Sequence, residues 1–241
     1  MVEIHPSNNE RFLIVSTGRC GSSLLSAILA HAGADFDLPD LDSWSRSSGA
    51  YEHPKLEKAY AWFRLMQALP TWPAPSRYLR QLTMKKMDRL LLDAMSKAKY
   101  AKTTNLVYLV QPISKLGYRP KIIISYRQFQ GYATSRYRRT NLSFSDLTEK
   151  YIDTYGTALL QLSIWGGCLV SYEEMINSGC SEWIDVVCKL TNLEKELVAK
   201  CRNDVIKPRS NIKASLSNIS KIDNRIIELM KELSKYKGQA V

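Results

Sequence analysis

Residues 12–23 read FLIVSTGRCGSS. An apolar run without polar alternation leads into a turn of Thr17, Gly18, Arg19, Cys20 and Gly21. Ser22 and Ser23 then open a segment of helical periodicity, with Leu24, Leu25, Ile28 and Leu29 on one face. A short continuous apolar run of this kind reads as a strand covered on both sides, as in parallel sheets. The pattern predicts a strand over 11–16, a glycine turn, and a helix over 22–32 that stops at Gly33.

A turn in that position can hold an anion. Glycines at 18 and 21 let the backbone curl around a phosphate-like group. The helix start adds N–H donors and partial positive charge. Arg19 contributes a forked cation, and Ser22 and Ser23 contribute hydroxyls. A tight strand-to-helix turn capped by serine would use the same residues. The pattern is not that of a nucleoside-triphosphate loop, GxxxxGK[ST]. Here two residues separate the glycines, and Ser22 rather than lysine follows Gly21. The anion expected is therefore one that needs no metal.

The rest of the chain repeats the alternation of short apolar runs and amphipathic segments. Helices are predicted over 55–69, 84–99, 128–139, 147–165 and 183–191. Strands are predicted over 100–104, 121–127 and 168–172, the first followed by a short helix to 109. Residues 35–54 read as a long loop, and 69–77, LPTWPAPSR, as a loop rich in proline. A lysine-rich helix over 219–236 has Ile222, Ile226, Leu229, Met230 and Leu233 on its apolar side, which packs onto the domain. The expectation is one α/β domain over residues 1–241, in three layers, with a central parallel sheet flanked by helices. In such folds ligands bind beyond the carboxyl ends of the strands.

A second anion site follows the strand 121–127. In KIIISYRQFQGYATSRYRRT (121–140), Arg127 stands past the strand end and Ser135 follows eight residues later in the next helix. The two can converge on one phosphate. Arg136, Arg138 and Arg139 come next, and the latter two read as a solvated basic face. A magnesium-dependent kinase usually places a metal-orienting aspartate at such a strand end. This strand ends in Tyr126-Arg127.

Lysine plus arginine is 34 against 23 acids, a net charge of +11, which favours anionic partners: nucleic acid, an acidic membrane surface or a phosphorylated small molecule. The five cysteines, Cys20, Cys168, Cys180, Cys188 and Cys201, form no CxxC pair or Cys/His cluster. That argues against a disulfide framework and a structural zinc, and for a reducing compartment. The N-terminal MVEIHPSNNER has no signal-peptide pattern, and no apolar run approaches a membrane span. A soluble, cytoplasmic protein is expected.

Together the motifs resemble those of the sulfotransferases that use 3′-phosphoadenosine 5′-phosphosulfate (PAPS), in the bacterial and carbohydrate-type branch. STGRCGSSLL (16–25) resembles the family's 5′-phosphosulfate loop, with Cys20 in place of the usual serine or threonine. IIISYRQFQGYATSRYR (122–138) resembles the 3′-phosphate motif, Arg127 and Ser135 falling on its two positions. Gln128-Phe129 stands where the family usually has aspartate-proline. LVSYEEM (169–175) and VCKLTNL (187–193) resemble later segments in the family's order, and KPRSN (207–211) would bring Arg209 to the nucleotide.

The resemblance implies a P-loop-like fold and metal-independent sulfuryl transfer from PAPS to an acceptor hydroxyl, leaving adenosine 3′,5′-bisphosphate. It implies nucleotide contacts at Gly18, Arg19, Cys20, Gly21, Ser22, Ser23, Arg127, Ser135 and Arg209. Glu52 is the first choice for general base and His53 the second, with Asp35 and Asp37 weaker, and Lys102 is placed to stabilise the sulfate. Cys20, beside Arg19 at a helix start, is expected to be reactive and shielded by nucleotide. Trp44, Tyr51, Trp62 and Trp72 suit stacking on an acceptor, whether carbohydrate, lipid or small alcohol. The rival readings are a P-loop nucleotide or small-molecule kinase, a non-catalytic nucleotide binder, and a basic nucleic-acid binder using Tyr132 and Tyr137 among the arginines. No nucleic-acid partner is expected under the main reading, and a homodimer is left open.

Overall fold

A computed structural model describes residues 9–37, 51–70, 74–206 and 222–241. The first strand, β1 (Glu10–Val15), is followed by α1 (Ser22–His31), α2 (Pro54–Ala68) and α3 (Ala74–Met95). A short β2 (Tyr100–Lys102) leads through a single 3-10 turn (Leu106–Leu109) to α4 (Val110–Lys115) and β3 (Arg119–Tyr126). Then come α5 (Phe129–Tyr137), α6 (Phe144–Trp165), β4 (Gly167–Ser171), α7 (Tyr172–Ile176), α8 (Glu182–Thr191), α9 (Lys195–Val205) and α10 (Asn224–Lys235).

The strands form one parallel sheet in the order β2-β1-β3-β4. Leu13 of β1 pairs with Ala101 on one side and Ile122 on the other. Because successive side chains point to opposite faces, each strand feeds two cores. Leu13, Val15, Ile122, Ile124 and Leu169 pack with residues of α2, α3, α6 and α10. Phe12, Ile14, Ile123, Cys168 and Val170 pack with residues of α1, α8 and α9. Both faces are covered, which is why these strands read as unbroken apolar runs, and the three-layer α/β expectation is met. A one-residue slip of β1 would exchange the two sets.

Four local expectations need correction. The loop predicted over 69–77 is helical from Ala74, so α3 starts ten residues before the predicted position 84. Pro75 sits in the first turn, where its missing N–H breaks no helical bond. The helix α6 begins at Phe144, not 147, because Ser143 and Asp146 form a reciprocal capping box. The sequence reading places no helix over 195–205, where α9 forms. Its Val198 and Cys201 are buried, and Arg202 Nε donates to the Met175 carbonyl (2.9 Å), tying α9 to α7. The C-terminal helix starts later than the expected 219: Asp223 caps it and α10 begins at Asn224, leaving Ile222 before it, while Ile226, Leu229 and Leu233 are buried on α6 as expected.

Candidate active site

The chain leaves β1 for β2 on one side, and β3 lies on the other. The carboxyl ends of β1 and β3 therefore flank the point where the strand order reverses, the place where open α/β sheets form a crevice. The turn after β1 and Arg127 after β3 both lie there.

The turn is tightly specified. Gly18 (φ 77°), Arg19 (φ 62°) and Gly21 (φ 88°) are all left-handed. For Arg19 this conformation costs about 1 kcal/mol. A Cβ on Gly21 would stand 2.7 Å from both Met175 Cε and Tyr172 Cδ2, so only glycine fits. Ser125 of β3 donates its hydroxyl to the Cys20 carbonyl (2.9 Å), Ser16 donates to Ser22 Oγ (3.0 Å), and the Gly18 N–H donates to Ser16 Oγ (3.2 Å). Gly21 caps α1 with no side chain, so it leaves the orphan N–H groups of the first turn for another acceptor.

Cys20 does not have the character expected from its position. Its side chain is fully buried, at 0 % exposure, with Sγ 3.0 Å from Thr17 Oγ1 and 3.4 Å from the Gly18 carbonyl. Burial pushes its pKa up, and this outweighs the opposing effects of the Thr17 hydroxyl and Arg127. The Cys20 side chain packs inside the turn, and its burial runs against the expectation of a reactive thiol.

The second motif is held by residues of β4, α6 and α7. The Arg127 guanidinium lies 4.4 Å from the centroid of the Tyr172 ring, and its Nε is 4.0 Å from Glu173 Oε1. Glu173 also accepts the Gln128 N–H (3.2 Å) and the Ser171 hydroxyl (3.0 Å). Tyr151 and Tyr155, one turn apart on α6, donate to the carbonyls of Arg127 (2.7 Å) and Ser125 (2.9 Å). Arg127 Nε is buried and has no hydrogen-bond partner among the described residues. The two anion motifs meet directly: Arg19 Nε donates to Ser135 Oγ at 3.4 Å. In the sequence Tyr172 and Glu173 stand out only by their order in the chain. Their role as the platform under Arg127 has no local signal.

A third group assembles at the end of β2. Lys102, 1 % exposed, donates to Glu52 Oε1 (2.9 Å) and to Ser23 Oγ (3.0 Å) in the first turn of α1. Glu52 and Lys102 also form an isolated parallel bridge, and the His53 N–H donates to the Lys102 carbonyl (3.4 Å). Burial lowers the Lys102 pKa, and the Glu52 carboxylate opposes that shift. Glu57, in the first turn of α2, joins the group. Burial raises its pKa most, followed by a hydrogen bond with Glu52 and the repulsion of its charge. Glu57 was missed, although Pro54 at the helix start places it within reach of Glu52.

The side chains of the other expected residues have local structural partners or lie outside the described residues. His53 is buried, and its Nδ1 accepts the Lys55 N–H (3.2 Å) as the cap of α2. Burial lowers its pKa. Asp35 accepts the Asp37 N–H (3.0 Å) in a local turn. Tyr51 is buried against Phe36 (5.3 Å between centroids), so it offers no stacking surface. The Trp62 ring carries Lys86 Nζ 4.6 Å from its centroid. Tyr132 is fully buried, which removes it from the exposed aromatic pattern a nucleic-acid surface needs, whereas Tyr137 is exposed. Arg209, Trp44 and Trp72 lie outside the described residues.

No protein-family model matches the chain, and no curated protein matches it. Among solved structures it is similar to the sulfotransferase domain from the Synechococcus PCC 7002 olefin synthase. The similarity covers 94 % of each chain with a TM-score of 0.51, at 16 % identity. The chain shares the fold of that domain. In this fold the glycine turn, Arg127 with Ser135, and the Glu52–Lys102 pair share one end of the sheet.

Proposed function

We propose that the chain transfers a sulfuryl group from PAPS to an acceptor hydroxyl without a metal. The observation that carries this reading is the 3.4 Å contact of Arg19 Nε with Ser135 Oγ, which joins two anion-binding motifs at adjacent strand ends. PAPS is anionic at both ends, and such a doubled site suits it. The buried Arg127 Nε, which makes no hydrogen bond among the described residues, supports the fit to a 3′-phosphate. The kinase reading lacks both its lysine after Gly21 and its aspartate at the end of β3.

The turn N–H groups, Arg19, Ser22 and Ser23 are assigned to the 5′-phosphosulfate, and Arg127 and Ser135 to the 3′-phosphate. When bound, the donor supplies an activated sulfuryl group. The acceptor oxygen forms a bond to sulfur while the bond from sulfur to the bridging phosphate oxygen breaks. Glu52 takes the hydroxyl proton, and Lys102, anchored to Ser23, counters the charge building on the leaving side. The products are a sulfate ester, adenosine 3′,5′-bisphosphate and a proton.

Calorimetric titration with adenosine 3′,5′-bisphosphate, against magnesium-ADP, tests this reading. Metal-independent binding that falls about tenfold or more in Arg127→Ala is expected, since a hydrogen bond to a charged group is worth about 1.5–3 kcal/mol. Preference for magnesium-ADP, or no binding to either, would overturn it.

A further inference from the structure

We propose that the hairpin of α2 and α3 docks the protein on an anionic lipid surface. Such docking goes beyond the sulfotransferase reading and does not depend on it.

The charge of this segment is one-sided. Between Glu57 and Asp88 the sequence holds no acid, but it holds the six cations Lys58, Arg64, Arg77, Arg80, Lys85 and Lys86. The two helices run antiparallel. Lys55 Nζ pairs with Asp93 (2.6 Å), which joins the start of α2 to the end of α3. Arg80 Nη1 donates to the Leu69 carbonyl (3.3 Å) at the opposite end. At 1.5 Å per helical residue, that end lies about 20 Å from Lys55. The buried residues of α2 are Leu56 and Ala59, both near its start, so the hairpin is least covered towards Leu69.

The helix α3 has two unlike sides. Ser76, Thr83, Met87, Leu91 and Ala94 are buried. Tyr78, Leu82, Lys85, Arg89 and Leu92 follow one another at steps of three and four residues on the opposite side, and all are exposed. Tyr78 is 64 % exposed, and Leu79 and Met84 beside this line are 50 % and 43 % exposed. No described carboxylate forms an ion pair with Lys85, Lys86 or Arg89.

Cations set among exposed apolar side chains on one helix face suit the interface of an anionic bilayer. The apolar groups enter the acyl boundary and the cations meet the headgroups. A nucleic acid fits less well, because Leu79, Leu82, Met84 and Leu92 give a base no ring to stack on. A second copy of the chain would set cation against cation across a two-fold contact.

Co-sedimentation of the full chain with vesicles, without nucleotide, tests the docking. Equimolar phosphatidylcholine and phosphatidylglycerol vesicles should bind the wild type about tenfold or more tighter than phosphatidylcholine alone. The double variant Lys85→Gln, Arg89→Gln should bind the anionic vesicles about thirtyfold more weakly. The double variant Tyr78→Ser, Leu82→Ser should bind them about tenfold or more weakly. Removing two charges from α10, by Lys231→Gln with Lys235→Gln, should change binding by no more than about threefold. All six positions are exposed, so urea midpoints close to wild type are expected and separate lost docking from unfolding. Should a double variant unfold early, its single substitutions decide. Three results overturn the docking: no preference for anionic vesicles, equal losses in the α3 and α10 charge variants, or unchanged binding after Tyr78→Ser with Leu82→Ser. A dimer in sedimentation velocity that this last pair of substitutions dissociates would also overturn it, by giving the face to a second copy. Vesicle binding needs neither nucleotide nor turnover, so its failure leaves the sulfotransferase reading standing, and failure of that reading leaves the docking standing.

Discussion

The Lys102 ammonium bridges Glu52 Oε1 at 2.9 Å and Ser23 Oγ at 3.0 Å, from a position 1 % exposed. It couples the carboxylate side of the crevice to the first turn of α1. A buried cation with two partners is costly to replace, because its removal leaves those partners behind. Lys102→Met is expected to cost about 1–3 kcal/mol of stability. It should also lower sulfuryl transfer by about a hundredfold or more. Urea unfolding and initial rates check both, and full activity in the variant would remove Lys102 from the mechanism.

Gly21 and Gly33 both have positive φ, yet they should respond differently to alanine. At Gly33 (φ 95°) nothing lies within 4 Å of the added Cβ, so the cost is backbone strain alone, about 1 kcal/mol. At Gly21 (φ 88°) the Cβ also meets Met175 and Tyr172 at 2.7 Å. Gly21→Ala should therefore be the more destabilising, by about 1–3 kcal/mol beyond Gly33→Ala. It should also weaken nucleotide binding, because Tyr172 supports Arg127. Equal unfolding midpoints for the two variants would contradict the packing of the turn.

Alkylation of the folded protein should spare Cys20 and Cys168, both fully buried, and modify Cys180 and Cys188, which are partly exposed. Burial raises the pKa of Cys168 to about 12. Mass-spectrometric mapping after brief iodoacetamide treatment reads the order. Rapid labelling of Cys20 that adenosine 3′,5′-bisphosphate prevents would restore the reactive-thiol expectation.

Stability should fall steeply at high pH. Burial raises the pKa of Tyr100 and Tyr132 to about 12, and raises those of Tyr151 and Tyr155 as well. In the unfolded chain these phenols ionise near 10. Between the two values the folded state keeps protons that the unfolded state releases. Each such group therefore removes about 1.4 kcal/mol of stability per pH unit as pH rises. Lys102 and Lys150, lowered by burial from 10.5, act the other way below that pH. The net fall should be cleanest above it. Urea midpoints measured from pH 8 to 11.5 check this, and a flat profile would contradict the burial of the tyrosine cluster.

What the sequence by itself determined is local. An apolar run, GRCG and two serines specify a strand, a left-handed turn and a helix start. The eight-residue spacing from Arg127 to Ser135 specifies a strand end facing the next helix. These signals survive because backbone conformation and hydrophobic period are written into neighbouring residues.

The tertiary structure decided the rest. Glu52, Lys102 and Ser23 meet only because β1 and β2 pair in parallel, with Ile14 opposite Lys102. Tyr172 comes under Arg127 only because β4 lies beside β3, with Ser171 opposite Tyr126. The buried thiol of Cys20 and the buried ring of Tyr132 look, in sequence, like a reactive cysteine and an exposed aromatic. Their character is set by desolvation. Desolvation depends on what packs over a side chain from distant segments, which no local spacing records.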